Sequence, residues 1–200
     1  AARGLTISGN TFYDNGDAVE TGTDPALTPC GLKFTGNVVF KTAPDPVEAR
    51  GLILRCATDS LVANNTFDGL DRFAMDIVDG APTVPFSGSI DGLVVRDNVV
   101  VNGRAFSIDS ALPPSVLIDG DVLYNPGSSA LFGQYLAFVS GRGNTSSLAD
   151  LRTWTGREAA AERDTVGLRH LDWCFALAEE HDVARQAGRV AEVLRGDRGE

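Results

Sequence analysis

Apolar and polar residues alternate along this chain in short runs, and five of the runs share one form. A brief apolar alternation leads into a turn carrying Asn or Asp, and a second apolar pair follows. The runs are ISGNTF (Ile7 to Phe12), FTGNVV (Phe34 to Val39), VANNTF (Val62 to Phe67), VRDNVV (Val95 to Val100) and IDGDVL (Ile118 to Leu123). Their pivots Asn10, Asn37, Asn65, Asn98 and Asp121 stand 27, 28, 33 and 23 positions apart. A period of about 20–50 residues marks a solenoid, whose unit cannot bury its apolar face alone and stacks on its neighbours. Structure rather than chemistry explains the pivots. Asn tolerates the left-handed conformation of a sharp corner, and its amide can bond to the same group one unit away. Asp121 breaks the amide series and is expected to mark the last regular unit.

Each unit also holds another short strand: AVET (Ala18 to Thr21), GLIL (Gly51 to Leu54), AMDI (Ala74 to Ile77), AFSI (Ala105 to Ile108) and, for the last, ALFG (Ala130 to Gly133). Period-2 alternation places Val19, Leu52, Leu54, Met75, Ile77, Phe106 and Ile108 inward. The 22 glycines and many Asn and Asp residues suit short strands and tight turns. Continuous helix signals are absent before about residue 145. From 171 to 195, LDWCFALAEEHDVARQAGRVAEVLR has one weakly apolar stripe through Cys174, Leu177, Ala184, Ala187, Ala191 and Leu194. This predicts coils over 1–145 and a C-terminal cap with an amphipathic helix over 146–200.

Composition changes this picture little. The net charge of −10 argues against a nucleic-acid surface, where basic clustering is expected. No apolar stretch approaches the roughly 20 residues of a membrane span. The start, AARGLTISGN, lies almost inside the first repeat and has no signal-peptide pattern, so the coils are expected to be N-terminally truncated. Cys30, Cys56 and Cys174 form no metal spacing. Aligning repeats sets Cys30 opposite Thr58, two strand positions from Cys56. The resulting separation of about 8 Å exceeds the bridging limit of about 7 Å and predicts free thiols. His170 and His181 are 11 apart on the predicted helix, and no third zinc ligand accompanies them.

The stretch GLILRCATDSLVANNTFDG, from Gly51 to Gly69, resembles the repeat of right-handed parallel β-helix proteins, the fold of pectate lyases and polygalacturonases. The resemblance runs over about residues 4 to 135. From Ser147, SLADLRTWTG looks like a stretch that follows the last coil in some proteins of that superfamily, while REAAAERDTVGL departs from what usually comes next. The resemblance implies an all-β solenoid: a right-handed single-stranded parallel β-helix of about five coils with a C-terminal helical cap. It also implies a secreted or cell-surface protein with a polysaccharide as partner. The polygalacturonase-like motifs Asn-Thr-Asp, Asp-Asp, Gly-His-Gly and Arg-Ile-Lys are absent, so activity is not carried over by motif.

In such a fold the outward residues of one strand column form a groove. Glu20, Ile53, Asp76 and Ser107 are expected outward, followed by Gly22, Arg55, Val78 and Asp109. Glu20 and Asp76 lie two coils apart, about 9.6 Å between backbones. Inverting glycosidases hold their carboxyls about 6.5–9.5 Å apart. A lyase would need a base and a cation beside a uronate, for which Arg55 and a calcium set of Asp76, Asp79 and Asp109 are the candidates. The predicted catalytic residues are therefore Asp76, Arg55 and Glu20, with Asp109, Arg72 and Phe132 binding substrate. Two readings stand: a polysaccharide lyase or glycoside hydrolase, and a non-catalytic adhesion or structural module.

Overall fold

The computed structural model describes residues 4–22, 30–41, 49–70, 72–78, 89–108, 112–125, 135–156 and 162–163, all within the compact unit Ala1–Arg163. In chain order the strands begin β1 (Leu5–Ser8), β2 (Thr11–Tyr13), β3 (Asp17–Thr21), β4 (Leu32–Thr35), β5 (Val38–Phe40) and β6 (Arg50–Leu54). The middle supplies β7 (Leu61–Ala63), β8 (Thr66–Asp68), β9 (Phe73–Ile77), β10 (Val94–Arg96), β11 (Val99–Val101) and β12 (Phe106–Ile108). Then come β13 (Leu117–Asp119), β14 (Val122–Tyr124), β15 (Ala137–Val139), β16 (Gly143–Thr145), helix α1 (Leu148–Thr155) and β17 (Glu162–Arg163).

Up to β15, every third strand is a neighbour in space. The first sheet runs β1-β4-β7-β10-β13, the second β17-β14-β11-β8-β5-β2, and the third β16-β15-β12-β9-β6-β3. All pairings are parallel except β15 with β16. The described molecule is thus mostly β, built of parallel sheets with one helix, as a solenoid requires. The pivots fall between the first and second strand of each unit, as the repeat pattern predicts. The fifth strand of the third sheet is Ala137–Val139, not ALFG, which lies outside the described residues.

The three sheets bury one core. Leu32, Phe34, Leu52, Leu54, Phe67, Met75, Ile77, Phe106 and Ile108 are at most 2 % exposed, and each contributes about 1.5–3 kcal/mol on burial. Phe12 (β2), Phe34 (β4) and Phe67 (β8) stack from one unit to the next, with ring centroids 5.8 and 6.4 Å apart. The predicted inward set is confirmed, but the alternation is broken in the third sheet. Ala18 and Val19, Ala74 and Met75, and Ala105 and Phe106 all pack on the core as consecutive pairs. A Cβ on Gly51 would come within 2.8 Å of the Phe67 ring, so the residue before Leu52 also faces inward. Two successive inward residues bend the strand and turn the residue before them outward.

The pivots form a continuous hydrogen-bonded ladder. Asn37 donates its backbone N–H (2.9 Å) and its Nδ2 (3.1 Å) to Oδ1 of Asn65. Asn65 does the same to Asn98 (3.1 and 2.9 Å), and Asn98 to Asp121 (2.7 and 2.8 Å). Asp121 suits the rung below Asn98, since its carboxylate oxygen accepts both bonds. The left-handed residue is the one before the pivot rather than the pivot itself: Gly9, Gly36, Asn64, Asp97 and Gly120, with φ from 55° to 76°. This corrects the expectation that pivot Asn residues take that conformation.

Cys30 and Cys56 are joined in a disulfide with a Cα–Cα distance of 5.7 Å. The expectation of free thiols fails because residues 55–59 turn instead of running extended, with Asp59 at φ 51°. The two-residue offset along a strand is therefore never incurred. Gly22 (φ 60°) packs on this bridge, and a Cβ there would overlap Cβ of Cys56.

Helix α1 lies inside SLADLRTWTG. The Ser147 side chain caps it by accepting from the Asp150 backbone N–H, and Gly156 (φ 64°) ends it by donating to the Arg152 carbonyl. Leu148 and Leu151 join the core. The helix predicted over 171–195, with Cys174, His170 and His181, lies outside the described residues.

Candidate functional site on the outer side of the third sheet

The register of the third sheet sets Glu20, Ile53, Asp76 and Ser107 side by side, as the sequence pattern predicts. Glu20 and Asp76 are two strands apart in this column, which fixes their backbones about 9.6 Å apart. The column is not a bare groove, however. Ile53 is 1 % exposed, Ser107 5 % and Asp76 9 %, and Val78 beside them is buried as well. Asp76, expected as an exposed carboxylate, is held inside this packed surface.

The bend before Leu52 brings in a residue that simple alternation misses. Arg50 opens β6, paired in register with Asp17 and Phe73. Its Nε donates to Oδ1 of Asp17 at 3.0 Å, and its NH1 donates to Oδ2 of Asp76 at 3.1 Å. One guanidinium on β6 thus ties together two carboxylates, one from each neighbouring strand, β3 and β9. Burial alone would lower the pKa of Arg50. The hydrogen bond and charge of Asp17, then those of Asp76, more than offset this and raise it above its ordinary value. Oδ1 of Asp76 is buried and has no hydrogen-bond partner among the described residues.

The other predicted residues separate. Arg55 NH1 pairs with Oε1 of Glu20 at 2.9 Å, so these two candidates are brought together, while Asp76 pairs with Arg50. Arg72 sits half-buried at the start of β9, where its carbonyl accepts from Nε of Arg104 at 3.1 Å. Arg104 in turn lies over the Phe73 ring, 4.1 Å from its centroid. Asp79, Asp109 and Phe132 lie outside the described residues. Among those described, no group of three or more His, Cys, Asp or Glu side chains gathers to hold a metal. Of the predicted calcium set only Asp76 is among the described residues, and its Oδ2 faces the Arg50 guanidinium.

Arg50 and Asp17 left one signal in the sequence. A small residue precedes the inward apolar one in each of the first four units: Ala18-Val19, Gly51-Leu52, Ala74-Met75 and Ala105-Phe106. That recurrence marks the doubled inward position and hence the outward turn of Asp17 and Arg50. Comparisons with known proteins add no function, since no family model, no curated protein and no solved structure matches the chain.

Proposed function

We propose that the chain is a right-handed parallel β-helix of about five coils with a C-terminal cap, acting on a polysaccharide at the outer side of its third sheet. One observation carries the reading. Oδ1 of Asp76 is a buried acceptor with no donor among the described residues, on the side of the sheet that faces away from the core. A buried polar atom left unpaired costs about 1–3 kcal/mol, and a sugar hydroxyl is a donor able to fill it. Arg50 holds the opposite oxygen and fixes the carboxylate's orientation.

In this reading Asp76 is the acid–base group, Arg50 its positioning partner and Glu20 the second carboxylate. The backbone spacing suits the water-admitting arrangement of an inverting hydrolase. In a lyase, Arg50 rather than Arg55 would be the basic group beside Asp76, because Arg50 lies against that carboxylate and Arg55 against Glu20. The Cys30–Cys56 disulfide supports a secreted or cell-surface location, where such bonds persist.

The alternative is a non-catalytic adhesion or structural module. It is favoured by the Asp17–Arg50–Asp76 and Glu20–Arg55 pairs, which fasten adjacent strands together. A panel of neutral and uronate polysaccharides, scored for new reducing ends and unsaturated products, separates the two. Turnover that falls about 10²–10⁴-fold in Asp76→Asn supports the enzyme. Undiminished activity in Asp76→Asn overturns the assigned site, and no turnover on any polymer favours the structural module.

A further inference from the structure

We infer that the end of the stack formed by β1, β2 and β3 is a docking surface for one further parallel repeat carrying Asn at its pivot. Three separate ladders stop there with an open side. Oδ1 of Asn37, Asn65 and Asn98 each accepts the N–H and the Nδ2 of the preceding pivot, yet among the described residues no donor reaches Oδ1 of Asn10. The amides of Val38, Thr66, Val99 and Val122 each donate to the preceding pivot's carbonyl at 2.8–2.9 Å. Thr11 occupies the equivalent place in the first unit, and no described carbonyl receives its N–H. The interior ring stack ends on half-buried Phe12, and Leu5 and Tyr13 are 54 % and 64 % exposed.

The unfilled groups define the occupant. Oδ1 of Asn10 needs an N–H and an amide NH₂ from one residue, and the Thr11 N–H needs that residue's carbonyl. An Asn in a parallel strand-turn-strand supplies all three, as each pivot Asn supplies them to the following unit. A second copy of this chain does not. Docked end to end about a two-fold axis, its strands run antiparallel and acceptor meets acceptor. Docked head to tail, its last pivot is Asp121, which has no NH₂ to donate, and its third sheet is closed by antiparallel β16. The surface therefore fits a parallel repeat presented ahead of Leu5, and it supports assembly of a longer stack independently of any activity at Asp76.

The test supplies such a repeat. A copy of residues 61–93 placed directly before Thr6 is in register, because Lys33 pairs with both Thr6 and Leu61. A second version uses a copy of residues 94–116, since Val94 pairs with both Leu61 and Leu117. Amide hydrogen exchange at Thr11 is the readout, with the denaturation midpoint beside it. Exchange at Thr11 should slow about tenfold in the extended chains, and the gain should vanish when the copied pivot carries Asn→Leu. The inference is overturned if Thr11 exchange is unchanged, if the Leu-bearing extension protects equally, or if neither extended chain folds.

Discussion

Replacing Asn65 by Leu tests the ladder where it is most buried. Asn65 is 1 % exposed. Its Oδ1 accepts from Asn37 N at 2.9 Å and Asn37 Nδ2 at 3.1 Å, and its Nδ2 donates to Phe34 O and Asn98 Oδ1, both at 2.9 Å. Leucine, of similar size, removes all four bonds. The Asn37 amide N–H then has no other acceptor, at a cost of about 1–3 kcal/mol for a buried unsatisfied donor. The remaining groups keep one partner each or lose a single bond. Asn37 Nδ2 still reaches the Ile7 carbonyl, and Asn98 Oδ1 still receives the backbone N–H of residue 65. Adding about 0.5–1.5 kcal/mol for the Phe34 carbonyl and a similar amount for the weakened rungs gives about 2–6 kcal/mol in total. That is a large share of the roughly 5–15 kcal/mol that holds a domain folded. Urea unfolding followed by circular dichroism, at constant slope, reads this as a lowered midpoint. Asn15→Leu, exposed and off the ladder, should stay within about 0.5 kcal/mol. Equal midpoints for the two variants would refute the ladder as a source of stability.

Two further outcomes follow from the same structure. Replacing Cys30 and Cys56 by Ala opens a loop spanning 26 positions, which should cost about 3.5 kcal/mol by loop-closure entropy; a midpoint unmoved by the double substitution or by reductant would show that the bridge does not constrain the unfolded chain. Burial raises the pKa of Asp68, partly countered by the hydrogen bond from Asn102, so the folded state keeps this proton to higher pH than the unfolded one. The associated stability is present below the ordinary carboxylate range and is lost as pH rises through the raised value. Asp68→Asn should therefore match the parent near pH 3 and equal or exceed it near pH 7. Greater loss at the higher pH would contradict the burial argument.

The sequence made the repeat legible because its pivots and inward residues answer to strict local demands. A ladder rung must be an amide or, at its end, a carboxylate, and an inward position such as Leu52 or Phe106 must be apolar. Three features were hidden for physical reasons. The left-handed corner residue is any of Gly, Asn or Asp, so Gly36 and Asp97 look like unrelated turn residues. The Cys30–Cys56 bridge depends on a turn at 55–59 that a strand-based distance cannot represent. Arg50 was hidden by the doubled inward step at Gly51-Leu52, since period-2 counting gives it the wrong face. Of the candidate site, Asp76 and Glu20 were found in their column, but their true partners lie on neighbouring strands, where charge pairing leaves no periodic trace.

The corner that carries the pivot is always two residues long: Gly9-Asn10, Gly36-Asn37, Asn64-Asn65, Asp97-Asn98 and Gly120-Asp121. The passage from the third strand of one unit to the first of the next varies instead, from residues 55–60 in one case to residues 78–93 in another. Length can therefore change at that passage without disturbing the frame, whereas one residue added at the pivot corner would shift its strand's facing and throw the ladder out of step. The molecule in effect separates a fixed clock from an adjustable rim. Within this one chain, passages of different length already share the same stacking rule.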